Sequence, residues 1–209
     1  MQSKNLEKLK SQLQKASKEK NKAKRGVRIA AIIAEALRSI GQDPVLVGGA
    51  AVEFYTEGGY ATADIDMLAP GGSELSQLLK NLGFEKRGKD YLNEELEIYI
   101  EFPGDFLEEG KKSNLLTIDG IPLRIISAED LIVDRLCAYK YWKSEIDGFS
   151  ALLLLELEEI DEKRLQEQSK NEDVVDALEW IQKLYEEIFR KKLKPKESSQ
   201  KLKEWLGRG

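Results

Sequence analysis

From residue 27 to residue 40 the apolar side chains recur in steps of three and four: Ile29, Ile32, Ile33, Ala36, Leu37 and Ile40. That period predicts a helix with one buried stripe. Gly41 closes it, and Pro44 prevents its continuation. Residues 3–24 are more polar, rich in Lys, Gln, Ser and Ala, with only Leu6, Leu9 and Leu13 as a thin apolar stripe. They read as a helix or a frayed tail, with Gly26 a weak interruption before the firmer helix. The period then shortens. Val45-Leu46-Val47 is a short buried strand followed by Gly48-Gly49, a helix over 50–57 and a second strand over 61–69 that ends at Pro70-Gly71-Gly72. Ser73 is a cap for a helix over 74–82, which Gly83 ends.

A strand and turn are expected over 84–92. Residues 95–102 alternate, with Leu96, Ile98, Ile100 and Phe102 on one side and Glu95, Glu97, Tyr99 and Glu101 on the other. Period two over eight residues is the pattern of a strand with one buried face. A hairpin follows at 114–118 and 121–126, turning at Asp119-Gly120. From Ser127 the pattern is helical throughout. Ser127 and Asp130 make a capping-box-like start to a helix over 128–143. Further helices are expected at 147–157, 161–168, 172–193 and 197–206. The order predicts an α+β fold, a mixed sheet flanked by helices and followed by an all-helical tail. Its parts are a basic helix or arm over 1–26, an α/β head over 27–126 and a helical region over 127–209.

Composition narrows the chemistry. There is no histidine among the 209 residues. Ser-His-Asp and Cys-His nucleophile systems, His-ligated zinc and imidazole acid/base chemistry are therefore excluded. The single cysteine, Cys137, has no partner within the chain, so the cytosol is the expected compartment. No apolar run approaches the ~18 residues of a membrane span, and the lysine-rich N-terminus has no apolar signal segment behind it. The net charge of −5 is unevenly spread: residues 1–28 carry +8 and residues 190–209 carry +6, leaving −19 between them. A +8 arm is able to bind a phosphate backbone without sequence preference, so an acidic total does not exclude a nucleic-acid partner.

The informative stretch is 45–67. Gly48-Gly49 ends a strand and precedes a helix, which lets the backbone approach a ligand closely and aims helix N-terminal amides at an anion such as phosphate. Further on stands Asp64-Ile65-Asp66. Positions two apart on a strand share a face, so both carboxylates point the same way while Ile65 enters the core. Two adjacent carboxylates repel unless a cation joins them. Magnesium, a hard cation taking oxygen ligands, suits such a pair and retains substrate phosphate oxygens. A third acid from a neighbouring strand would complete a two-metal site. Glu101, at the polar-face end of the alternating strand, is the best placed, with Glu97 as the fallback.

Gly-Gly, a short helix, Asp-x-Asp on the next strand and a third acid on a later strand resemble the nucleotidyltransferase superfamily related to DNA polymerase β. Gly48-Gly49-Ala50, Tyr55-Thr56, Thr62 and Asp64-Ile65-Asp66 are similar to its minimal bacterial and archaeal branches, several of which belong to toxin–antitoxin or abortive-infection systems. Asp134-Arg135-Leu136-Cys137-Ala138-Tyr139 with Trp142 also resembles the helix that follows the catalytic sheet in such proteins. The resemblance covers roughly residues 28–165. It implies Mg²⁺ (or Mn²⁺) held by Asp64, Asp66 and Glu101, a triphosphate cradled by Gly48 and Gly49, and Arg135 meeting the phosphates. Many members carry a serine in the turn; Gly49 and Ala50 stand there instead, so phosphate contacts fall to backbone amides.

The activity implied is transfer of a nucleoside monophosphate from a nucleoside triphosphate to an acceptor hydroxyl. The acceptor is expected to be a protein, such as a partner toxin, or an RNA end such as tRNA; a small molecule such as an aminoglycoside is less favoured. The rival expectation is a non-catalytic, antitoxin-like interaction protein that keeps the fold.

Overall fold

The computed structural model describes residues 3–191 together with Lys201 and Glu204. The chain divides into two compact units, residues 1–127 and 128–209. The first opens with two helices, α1 (Ser3–Ser17) and α2 (Lys22–Arg38). The stripe of α1 is put to use: Leu9 and Leu13 are fully buried, and the helix packs along α2. The break between them falls at residues 18–21, where the Asn21 side chain accepts the Lys24 N–H as an N-cap. Gly26 interrupts nothing and lies within α2, so the firm helix starts at Lys22, five residues earlier than the expected residue 27.

The sheet strands and remaining helices of this unit are β1 (Val45–Val47), α3 (Gly48–Tyr55), β2 (Asp64–Leu68), α4 (Ser73–Asn81), β3 (Glu85–Arg87), β4 (Asp90–Asn93), β5 (Ile98–Glu101), β6 (Ser113–Ile118) and β7 (Ile121–Ile126). They form one seven-stranded mixed sheet in the order β3-β4-β5-β2-β1-β7-β6. β1 runs antiparallel to β2 and parallel to β7, and β2 runs parallel to β5. Leu46, Ile65, Met67, Ile100 and Ile125 are all buried in the sheet. Helix α2 packs against β2 and β7, and α3 against β1 and β2, which makes the core.

Two sequence readings change here. Residues 84–92 are not one strand and a turn; they form the hairpin β3–β4, turning at Gly88-Lys89, with Gly88 at φ +65°. The alternation over 95–102 also outruns its strand. Only 98–101 pairs as β5, and Glu97 sits at φ +52°, in the left-handed region. Arg25 holds this turn, donating to the carbonyls of Leu96 (2.9 Å) and Glu97 (2.7 Å).

The second unit is helical: α5 (Ala128–Tyr141), α6 (Glu145–Leu154), α7 (Glu162–Asn171) and α8 (Val175–Lys191). The expected helix at 197–206 lies outside the described residues. At the expected capping-box-like start, Ser127 and Asp130 make bonds to residues distant in the sequence. The Ser127 N–H donates to the Lys112 carbonyl, and the buried Asp130 carboxylate takes a two-pronged bond from Arg164 at 2.6 and 2.8 Å. Among the described residues no helix is long and apolar enough to cross a membrane.

Candidate active site

Strand register brings the acids together. Asp66 pairs with Glu101 across the parallel β2–β5 ladder, and Asp64 pairs with Tyr99. Paired residues on neighbouring strands project to the same face, as do residues two apart on one strand. Asp64, Asp66 and Glu101 therefore share one side of the sheet, while Ile65 and Ile100 are buried on the other. The same row extends in both directions. Val47, the last residue of β1, pairs with Asp66, and Asp90, the first of β4, pairs with Glu101.

The glycine turn sits directly over this row. Val47 is the N-cap of α3, so Gly48 and Gly49 are its first helical residues. Gly48 has φ +61°, and a Cβ there would lie 2.1 Å from Asp66 Oδ2. Only glycine fits at such a φ and so close an approach. The Gly49 N–H donates to Asp66 Oδ2 at 3.2 Å. A Cβ on Gly49 would meet Thr62 Oγ1 at 3.0 Å. The motif residues around the turn hold it in place. Tyr55 Oη donates to the Ile126 carbonyl at 2.8 Å, tying the end of α3 to β7. Thr56 Oγ1 donates to the Val52 carbonyl and accepts the Tyr60 N–H, and Thr62 Oγ1 accepts the Asp64 N–H.

Asp64 is exposed, and Asp66 and Glu101 are half-buried. Among the described residues no group of three or more Asp, Glu or Cys side chains is arranged to hold a metal ion as it stands. The carboxylates are engaged elsewhere: Asp66 accepts the Gly49 amide, and Glu101 is ion-paired with Lys89. Glu101 holds the Lys89 ammonium pKa above its ordinary value, with smaller contributions from Asp90 and Asp66. The donor set itself fits a hard divalent cation, since three carboxylates on one face supply only oxygen ligands. A cation there would take Glu101 from Lys89.

Arg135 lies in the helical unit, in α5, where its guanidinium binds Asp134 and Asp147, the latter at 2.7 Å. Glu97, the fallback acid, stands outside β5, exposed in its left-handed turn. Three residues with a part in this region escaped the sequence reading. Lys89 and Asp90 are hidden when 84–92 is read as a strand and a turn; the Gly88-Lys89-Asp90 triplet, read as the turn of a two-stranded hairpin, places them against the alternating strand. Glu53 is buried in α3, and no local pattern in the sequence marks it.

Residues 28–190 match the family described as "Nucleotidyltransferase of unknown function (DUF6036)". The chain belongs to this nucleotidyltransferase family. No protein of curated function matches the sequence. Among solved structures, the chain is similar to an antigenic nucleotidyltransferase-like protein from Paracoccidioides brasiliensis. The TM-score is 0.54 at 17% identity, over 77% of this chain and 93% of the other. At that identity the likeness concerns the fold alone: a mixed sheet with flanking helices, as found here. The family match begins beyond α1 and takes in both the glycine turn and the acid row.

Proposed function

We propose that this nucleotidyltransferase moves a nucleoside monophosphate from a nucleoside triphosphate to an acceptor hydroxyl at the acid-bearing face of β2 and β5. The observation that carries this reading is the register of Asp66 opposite Glu101, with Asp64 two residues away and the Gly48-Gly49 turn directly above. Asp64, Asp66 and Glu101 are the residues that would hold Mg²⁺ (or Mn²⁺). Bound there, the ion supplies charge neutralisation for the triphosphate and a lowered pKa for the acceptor hydroxyl.

The chain's own part is binding and orientation. The amides at the start of α3 face the position of a phosphate and carry the positive end of the helix dipole. Gly48 lets the phosphate chain approach without a side chain between it and Asp66. Gly49 releases its N–H from Asp66 to a phosphate oxygen as the ligand enters. The acceptor oxygen attacks the α-phosphorus, the α–β P–O bond breaks, pyrophosphate leaves and the hydroxyl proton passes to solvent. Catalysis of this kind is mostly positioning and electrostatic stabilisation, and it has no need of histidine. Protein and RNA hydroxyls are the proposed acceptors, with a partner toxin or a tRNA as the cases to test first. A toxin–antitoxin role belongs to the same proposal.

The pairing of Glu101 with Lys89 favours a second reading, an antitoxin-like binding protein that keeps the fold without transfer. One experiment separates the two. The wild-type chain and Asp64→Asn are incubated with each α-labelled nucleoside triphosphate, Mg²⁺ or Mn²⁺ and candidate acceptors. Label transfer by wild type and its loss in the variant supports the enzyme. No transfer and no nucleotide binding by calorimetry supports the binding protein, and equal transfer by both chains overturns the assignment of Asp64.

A further inference from the structure

A cleft of about 540 Å³ opens where β2 and β5 begin, on the side of α2 and α3. Its size lies in the range that accommodates small-molecule ligands. Ile29, Ile65 and Ile98 provide an apolar wall, and Tyr99 and Asp64 stand at the strand ends. Glu53 also lines it. This glutamate is 3% exposed and sits in a helix whose other buried positions are Ala50, Ala51 and Val52. Its Oε1 is buried and has no hydrogen-bond partner.

A carboxylate so placed is costly unless it is paired or hydrogen-bonded. The chain provides little relief. Burial pushes the Glu53 carboxyl up, outweighing a hydrogen bond from the Thr62 backbone and the more distant charge of Lys22. Arg25 lines the same cleft, but its guanidinium donates to the carbonyls of Ser17, Leu96 and Glu97. Five charged side chains line the cleft, and the acids Glu53, Asp64 and Glu97 outnumber Lys22 and Arg25. The cleft thus combines an apolar wall with a buried carboxyl whose Oε1 has no hydrogen-bond partner.

We infer that this cleft is a further binding site, abutting the acid row, for a small ligand that carries a protonated amine on a short apolar body. The ammonium supplies the charge and the N–H donor that Glu53 Oε1 lacks, and a charge-assisted hydrogen bond is the strong kind. The body lies along Ile29, Ile65 and Ile98. Nothing in this inference requires nucleotidyl transfer, so its test needs neither nucleotide nor metal.

Benzylamine and its neutral counterpart benzyl alcohol are titrated into the full chain, with binding read by ligand-detected NMR and by calorimetry. Benzylamine is expected to bind, with benzyl alcohol at least tenfold weaker. Glu53→Gln keeps the size of the side chain and removes its charge, and it is expected to lose at least tenfold in benzylamine affinity. Ala61 lines the mouth and is exposed. Ala61→Trp fills the entrance and keeps the Glu53 carboxyl, and it is expected to abolish binding even if the Glu53 variant does not fold. Failure of benzylamine to bind, equal affinity for the amine and the alcohol, or undiminished binding in either variant overturns the inference.

Discussion

Replacing Gly48 by alanine probes the turn and the acid row together. Two costs add. An alanine held at φ +61° occupies the left-handed region, at about 1–2 kcal/mol. Its Cβ would also lie 2.1 Å from Asp66 Oδ2 and 2.7 Å from Asp66 Cγ, so the carboxylate must swing away and give up the Gly49 amide. A hydrogen bond to a charged group contributes about 1.5–3 kcal/mol; Asp66 is half-buried, so the lower end applies. The expected loss is about 3 kcal/mol in all. Gly41→Ala is the matched control. Gly41 has φ +78° with nothing within 4 Å of a Cβ, so it carries the backbone cost of about 1–2 kcal/mol alone.

The readout matters. Trp142 and Trp180, the two tryptophans among the described residues, fall in the second unit, so their fluorescence reports on the helices. Hydrogen-exchange mass spectrometry of peptides from β1 and β2 reads the sheet instead. Gly48→Ala should open these peptides more readily than Gly41→Ala by about a factor of ten, the equivalent of ~1.4 kcal/mol, and should abolish label transfer. Gly41→Ala should leave transfer intact. Equal exchange in the two variants, together with full transfer by Gly48→Ala, would refute the argument that Gly48 makes room for Asp66.

Other expectations concern different parts of the chain. Arg164→Ala leaves the buried Asp130 carboxylate without its two-pronged partner and should cost about 3–5 kcal/mol in the helical unit; urea unfolding followed by tryptophan fluorescence measures it. Gly148→Ala places a methyl 2.5 Å from Cδ2 of the fully buried Tyr139, an overpacking expected to cost about 1–3 kcal/mol by the same assay. Asp43 is hydrogen-bonded to Arg124 and Arg38, and the Arg124 bond is the larger cause of its depressed carboxyl pKa. A depressed acid stabilises the fold above its unfolded pKa of about 3.9 and loses that contribution as pH falls through its folded value. Asp43→Asn should therefore be less stable than wild type at neutral pH, and the gap should close in acid; a gap constant from pH 7 to pH 2 in thermal unfolding would contradict this.

The parts of the fold legible in sequence were those fixed by local period and local chemistry. The stripe from Ile29 to Leu37, the short strand before Gly48-Gly49, Asp64-Ile65-Asp66 and the Asp119-Gly120 hairpin all sit where their patterns put them, although the helix ends at Arg38, short of Ile40. The failures share a cause. Alternation at Glu95-Leu96-Glu97 continues smoothly into β5, yet the backbone turns there, because φ at Glu97 is set by the carbonyls that Arg25 holds from 72 residues away. Gly26 lies inside α2 because Asn21 provides the cap, and a glycine costs a helix only about 1 kcal/mol. In the candidate site, face and spacing revealed which acids stand together. They could not reveal what each acid binds, since the ion pair between Glu101 and Lys89 depends on a hairpin turn aligned by strand pairing.

The interior strand β1 has a consequence for how this protein is made. β1 has three residues, and its parallel partner β7 lies almost eighty positions later, with Val45 opposite Arg124. Closing so long a loop is slow compared with forming local hairpins. During vectorial synthesis, β2 and β5 are able to align their acids while β1 still lacks one neighbour. The head cannot seal its core until residue 126 has left the ribosome. Until then the open edge of β1 is a place for a chaperone or a second nascent chain to dock, so a ribosome pause just after the β6–β7 hairpin should favour folding and one just before it should favour aggregation.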